Sequence, residues 1–151
     1  MRGFWLLIHL LGDILWLGGG TATMVLGVAA KQFAPDHRLS AYRLTSVIQR
    51  ILLGPGAAAA VISGIPLASP YMKEGTVSGS LMLMMATGIL GALIAIGVTV
   101  PTAARLGRLE VDPRGELPES FAGLRRRLIV AGSVSGGLGL VALLAGTLMR
   151  P

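Results

Sequence analysis

The chain has 151 residues, of which 53% are hydrophobic and 13% charged, and its net charge at pH 7 is +6. Soluble domains carry about 25% charged residues, so this composition excludes an ordinary soluble domain. The chain has no cysteine, which excludes disulfides, cysteine-ligated metals and thiol chemistry. The basic residues lie between long apolar runs and not on one polar face, so we expect no nucleic-acid partner.

Four apolar stretches are long enough to cross a bilayer, because a spanning helix needs about 20 mostly apolar residues. They cover residues 4–30, 44–69, 80–106 and 122–148. The first is too long for a cleaved signal peptide, so we expect it to be retained. The sequence therefore predicts an all-α integral membrane protein, with one domain over residues 1–151 folded as an up-down-up-down four-helix bundle.

Lysine and arginine predict the orientation of this bundle. Ten of the 13 basic residues lie in, or next to, the loop after the first stretch or the loop between the third and fourth, namely Lys31, Arg38, Arg43, Arg50, Arg105, Arg108, Arg114, Arg125, Arg126 and Arg127. The other three are Arg2, Lys73 and Arg150. Because basic loops tend to stay in the cytoplasm, we expect both termini outside and membrane lipid as a partner.

Small residues cluster at residues 18–20, 54–60 and 132–137. Helices in lipid associate by close van der Waals approach, which glycine and alanine permit, so these clusters predict tight packing. Pro55 lies inside the second stretch and predicts a kink there, since it lacks a backbone donor.

The candidate site lies in the first stretch, where His9 and Asp13 are ionisable groups spaced by one helical turn. Such groups are costly inside a membrane and indicate function by default. The same helix face continues with Trp16, Gly20 and Met24. This pattern predicts the wall of a buried cofactor site, formed by these five residues.

A neutral imidazole such as that of His9 is a good metal ligand. Asp13 could accept the other ring N–H and fix the tautomer, or act in a proton relay. The structural alternatives are that His9 hydrogen-bonds a neighbouring helix and that Asp13 is a protonated carboxyl bonded to a hydroxyl or carbonyl. His37 is expected to be a solvated residue at the opposite end of the bundle.

Three further residues are candidates for the same site. Met82 and Met85 supply soft sulfur ligands, which suit ferrous haem or Cu(I), although methionine is also a common gap filler. Arg50 could pair with Asp13 or with a porphyrin propionate, or could extend to the inner headgroups.

Residues 9–19, which read His9-Leu-Leu-Gly-Asp-Ile-Leu-Trp16-Leu-Gly18-Gly, resemble the opening helix of several bacterial four-span families. The sequence is most similar to an uncharacterised family of predicted integral membrane proteins, which shares the pattern of Gly54-Pro55-Gly56 and Ser63-Gly64 in the second helix. It is more distantly similar to the copper-resistance D membrane domain and to the haem-binding protoporphyrinogen oxidase of bacteria.

The resemblance implies that His9 occupies the position of a haem-ligating histidine, with Trp16 and Gly18 packed behind it. It also implies a bacterial cytoplasmic membrane. Asp13 departs from the small or apolar residue expected there, and residues 20–24 lack the basic, aromatic-rich continuation of the oxidases. We therefore do not expect protoporphyrinogen oxidation.

Two functions remain open at this point. The first is a small haem b protein with a redox or electron-transfer role near the outer leaflet, ligated by His9 and by a methionine or a partner chain's histidine. It would act as a homodimer, with a quinone or another redox partner, and could be a haem-dependent oxidoreductase. The alternative is a non-catalytic bundle that handles Cu(I) through His9, Asp13 and the methionines, or that scaffolds a larger complex.

Overall fold

A computed structural model of the chain describes residues 1–148, so Arg150 lies outside the described residues. The helices are α1 (Arg2–Ala29), α2 (Pro35–Ile48), α3 (Gly54–Lys73), α4 (Gly79–Ile94), α5 (Val100–Leu106) and α6 (Ser120–Thr147). A 3₁₀ turn extends α1, and π turns join α2 to α3 and α4 to α5. The result is four long helical spans, Arg2–Gln32, Pro35–Lys73, Gly79–Leu106 and Ser120–Thr147, each long and apolar enough to cross a membrane. The predicted all-α four-helix bundle is confirmed.

The second span begins at Pro35, well before the apolar stretch at residue 44. Proline is favoured in the first helical turn because its missing N–H has no partner there in any case. Leu39 and Tyr42, one turn apart on α2, are 2% and 4% exposed, so this polar segment is held by a buried face. The hydropathy of the sequence predicted the apolar part of this span, which suits the interior of a bilayer, but it did not predict where the helix begins.

The second and third spans each contain a wider helical turn, a π turn, just before a proline. The π turn Gln49–Leu53 precedes Pro55, and the π turn Ala95–Thr99 precedes Pro101. In each turn the next backbone N–H bonds the carbonyl five residues earlier. A proline ring clashes with the carbonyl four residues before it, and a wider turn relieves that clash. A π turn therefore precedes Pro55, the proline for which a kink was predicted, and the corresponding π turn before Pro101 was not predicted.

The spans pack as two close pairs, α1 with α3 and α4 with α6. Backbones touch in the first pair: a Cβ atom on Gly12 would lie 2.6 Å from the Ala60 nitrogen, and one on Gly56 would lie 2.6 Å from the Trp16 nitrogen. The close packing predicted for residues 54–60 is thus present at Gly56 and Ala60. Within the other predicted clusters, Gly18, Gly136 and Gly137 would have nothing within 4 Å of an added Cβ.

The indole of Trp16 fills the centre of the bundle and is 3% exposed. Its Nε1 donates to the Ser135 hydroxyl at 3.3 Å, and that hydroxyl donates to the Gly91 carbonyl at 2.9 Å. A Cβ on Gly91 would lie 2.9 Å from the Trp16 ring, and one on Gly139 would lie 3.5 Å away. Small residues on α4 and α6 therefore make the space that this indole occupies.

A second core lies where α2, α5 and α6 meet, at the end of the bundle where the ten basic residues cluster, which we call the basic end. Its buried members are Leu39, Tyr42, Ala103, Leu106, Phe121 and Leu128. His9 and Asp13 lie on the half of α1 away from the basic end, because α1 starts at the opposite end and reaches the basic end near Ala30.

Gly56 and Gly137 provide a matched pair of substitutions for testing the α1–α3 contact. Gly56→Ala places a methyl group against the backbone of α1, so we expect the free energy of unfolding to fall by about 1–3 kcal/mol. Gly137→Ala meets open space, and alanine has the higher helix propensity, so stability should stay equal or rise by up to about 1 kcal/mol. Unfolding of the purified protein in detergent measures both, and equal stability of the two variants would contradict the contact.

Candidate functional site

The α1–α3 contact determines which groups surround His9. Gly12 packs on Ala60 one turn away from His9, so the imidazole lies against the next turn of α3, which contains Ala60, Ser63 and Gly64. A Cβ on Gly64 would be 3.4 Å from the His9 Cε1 atom. Gly64 therefore lies beside the ring at a distance where an added methyl group would make ordinary van der Waals contact.

The His9 ring is oriented by two contacts with α3. Its Nδ1 lies 2.7 Å from the Ala60 carbonyl oxygen and 3.3 Å from the Ser63 hydroxyl oxygen. A carbonyl only accepts, so Nδ1 carries the hydrogen and donates it. The Ser63 hydroxyl donates to the Ala59 carbonyl at 2.5 Å, and Ser63 itself is fully buried. In the neutral ring, Nε2 is consequently the nitrogen with a free lone pair.

Asp13 lies beside that second nitrogen, with its Oδ2 3.8 Å from the His9 Nε2. The two side chains are 21% and 22% exposed, so the pair lies at the margin of the packed interior. This differs from the predicted orienting role of Asp13, because the Ala60 carbonyl takes the other ring N–H. The arrangement offers an imidazole and a carboxyl group facing each other, with one nitrogen lone pair available.

The rest of the predicted wall does not continue this site. Trp16 belongs to the central core, and Gly20 faces a Leu53 methyl group, 3.8 Å from where a Cβ would lie. Met24 is 71% exposed. At about 100° per residue the five positions stay within about 80° of one another, so they share a face of α1. They are separated because the elements packed against that face change along the helix, from α3 at His9 to α4 and α6 at Trp16.

Arg50 and the methionines lie elsewhere in the bundle. Arg50 is exposed on the second span, and among residues 1–148 no ion pair within 4 Å joins it to Asp13. Met82 is 63% exposed on α4, which packs mainly on α6. Met85 is half-buried on the same helix. Among residues 1–148, the polar partners of His9 are Ala60, Ser63 and Asp13 and include neither methionine.

The structural alternative that His9 hydrogen-bonds a neighbouring helix is confirmed, but sequence reasoning missed which groups of α3 are its partners. The Ser63-Gly64 pair was noted only as part of a family pattern, and a backbone carbonyl such as that of Ala60 leaves no signal in a sequence. A buried polar group near the first π turn was missed as well: the Gln49 side-chain oxygen is buried and has no hydrogen-bond partner within the described chain. The signal for Gln49 was present, since an amide is unusual in an apolar run.

The protomer alone offers few metal ligands. No group of three or more histidine, cysteine, aspartate or glutamate side chains is close enough to hold a metal ion in residues 1–148. His9 and Asp13 supply two donors, so further ligands would have to come from a cofactor or from another chain.

Comparison with protein-family models, with curated proteins and with solved structures finds no match to this chain. The similarity of the first-helix motif to haem-binding and copper-resistance families stays a prediction.

Proposed function

We propose that the protein is a small membrane redox protein in which the His9 Nε2 is an axial ligand of a b-type haem. The hydrogen bond from Nδ1 to the Ala60 carbonyl is the observation that supports this proposal most. Histidines that bind metals almost always donate their other ring N–H to a carbonyl, a carboxylate or water. That bond fixes the ring and makes Nε2 a better donor.

The residues around His9 fit the ligating atom of a haem but not the whole macrocycle within one protomer. Two cavities of the structure, around Tyr42 and Phe33, lie toward the basic end, away from His9. His9 and Asp13 are partly exposed, so we place the haem at the side of the bundle, where a second copy of the chain would cover it. Bound there, the haem supplies one-electron transfer. Asp13 would lie next to the ligating nitrogen, where a carboxyl group affects the reduction potential through its charge.

His37 provides a matched control for His9, because it lies at the basic end and its ring bonds, within residues 1–148, only the exposed Asp36, at 3.1 Å. We expect purified wild-type protein and His37→Ala to show the absorption bands of oxidised and reduced haem b. His9→Ala should lose them, since Nε2 is the ligand. Optical spectra of protein made with ample haem measure this.

A rescue experiment separates loss of the ligand from loss of the fold. Imidazole added to His9→Gly should restore the bands if the site itself persists. Full haem occupancy in His9→Ala, or wild-type protein that stays colourless when haem is supplied, would overturn the proposal.

A second candidate function is proton transfer within the membrane, and it is favoured by the 3.8 Å separation of His9 Nε2 and Asp13 Oδ2. Histidine and aspartate pairs in membrane helices form steps of proton pathways. Here a proton would pass between these two atoms, while the Nδ1 hydrogen stays bonded to Ala60. This function needs no cofactor.

Asp13→Asn tests the proton pathway, because an amide keeps the shape of the carboxyl group but does not exchange a proton in the same way. We expect proton flux into proteoliposomes to fall by at least about tenfold, while Asp36→Asn, an exposed acid at the basic end, leaves the flux unchanged. Wild-type flux in Asp13→Asn would exclude the relay. Unchanged haem bands in that variant would still agree with the haem proposal.

A further inference from the structure

A polar cavity lies at the basic end, between the last turn of α1, the start of α2 and the start of α6. Its volume is about 190 Å³. The side chains that matter for its chemistry are Lys31, Arg38, Arg125, Tyr42 and Phe121. A Cβ on Gly27 would lie 3.9 Å from the Tyr42 hydroxyl, so the bare backbone of α1 forms one wall.

The cavity has an excess of positive charge. Three of its lining side chains are cations, and none of the lining residues is acidic. Within residues 1–148 the ion pairs are His9 with Asp13 and His37 with Asp36. Lys31, Arg38 and Arg125 therefore line one cavity that has no acidic residue in its lining, which favours an anion as the occupant.

Arg38 gives the cavity a fixed wall. Its Nε donates to the Ala30 carbonyl at 3.0 Å, and its Nη2 donates to the carbonyls of Lys31 and Phe33 at 2.6 and 3.2 Å. These carbonyls lie at or just after the end of the first span, where helix carbonyls lack partners within the helix, and that of Ala30 also accepts from the Phe33 N–H at 3.2 Å. The guanidinium is thereby held in place while its charge remains next to the cavity.

Arg125 and Tyr42 supply hydrogen-bond donors that the protein does not use. The Arg125 Nε donates to the Tyr42 hydroxyl oxygen at 3.0 Å, and its two terminal nitrogens have no partner in the described chain. Tyr42 is 4% exposed and packs edge-to-face on Phe121, with ring centroids 5.3 Å apart. Its hydroxyl accepts from Arg125 and keeps its own hydrogen to donate. The donors are therefore held in position before any ligand arrives.

We infer that this cavity binds a phosphate group. A guanidinium presents parallel N–H groups that match two phosphate oxygens, and the Lys31 ammonium and Tyr42 hydroxyl can bond the others. The cavity is several times the roughly 30 Å³ that a water molecule occupies, so it has room for a tetrahedral anion. Basic pockets between membrane helices bind the headgroups of anionic lipids. The phosphate belongs to such a lipid or to a soluble ion, and both present the same chemistry.

Arg125→Gln and Arg126→Gln separate a specific site from general attraction to the basic end. Both remove one charge, but Arg126 is exposed and does not line the cavity. Full-length protein in neutral detergent is titrated with phosphatidylglycerol, phosphatidylcholine or inorganic phosphate, and binding is followed by native mass spectrometry and thermal shift. We expect Arg125→Gln to weaken phosphatidylglycerol binding by about tenfold or more, and Arg126→Gln by less than about twofold.

Tyr42→Phe provides a second variant, because it keeps the packing on Phe121 and removes only the hydroxyl that positions Arg125. It should weaken binding in the same direction even if Arg125→Gln folds poorly. Binding of phosphatidylglycerol that excess inorganic phosphate does not displace identifies a lipid site, and displacement by millimolar phosphate identifies a soluble anion. Two results would overturn the inference. One is equal affinity for phosphatidylglycerol and phosphatidylcholine together with no effect of inorganic phosphate on binding. The other is that Arg125→Gln and Arg126→Gln weaken phosphatidylglycerol binding equally.

Discussion

The close backbone contact between α1 and α3 is the constraint on which the rest of the bundle depends. Gly12 and Gly56 leave no room for side chains where the two helices cross. For helices long and apolar enough to cross a membrane, apolar burial would not drive association in lipid, and close contacts of this kind would supply it. The same contact sets the position of Trp16, whose backbone lies against Gly56 and whose indole reaches α4 and α6. The crossing of α1 and α3 thus fixes how these two helices pack on each other and turns the Trp16 side chain toward α4 and α6.

The contact also accounts for the geometry of His9. Ala60 packs against Gly12, and its carbonyl accepts the hydrogen bond from the His9 ring. The imidazole is therefore oriented by the helix crossing itself, and its second nitrogen faces Asp13. The basic-end cavity lies on the other side of the Trp16 layer, beyond most of the length of α1. The two polar sites are thus separated by the apolar centre of the bundle.

The number and approximate extent of the helices could be predicted from hydropathy, because length and apolar character directly reflect the thickness of a bilayer. The importance of His9 and Asp13 could also be predicted, since ionisable groups stand out in an apolar helix. Two features could not be predicted, because they depend on local backbone geometry. They are the π turns before Pro55 and Pro101 and the start of the second span at Pro35. The exposure of Met24 could not be predicted either, because it depends on which elements pack against each part of α1. The role of the Ala60 carbonyl arises only once α1 and α3 have packed.

The orientation of the His9 ring underlies both proposed functions, and ¹⁵N NMR of histidine-labelled protein in lipid nanodiscs measures it directly. The chain has two histidines, so His37→Ala leaves the signal of His9 alone. In the protein without added haem, Nδ1 should carry a directly bonded hydrogen in every protonation state, with the neutral ring unprotonated at Nε2. A neutral ring that holds its hydrogen on Nε2 and has a bare Nδ1 would contradict the bond to Ala60, and with it the case for Nε2 as a ligand or a proton carrier.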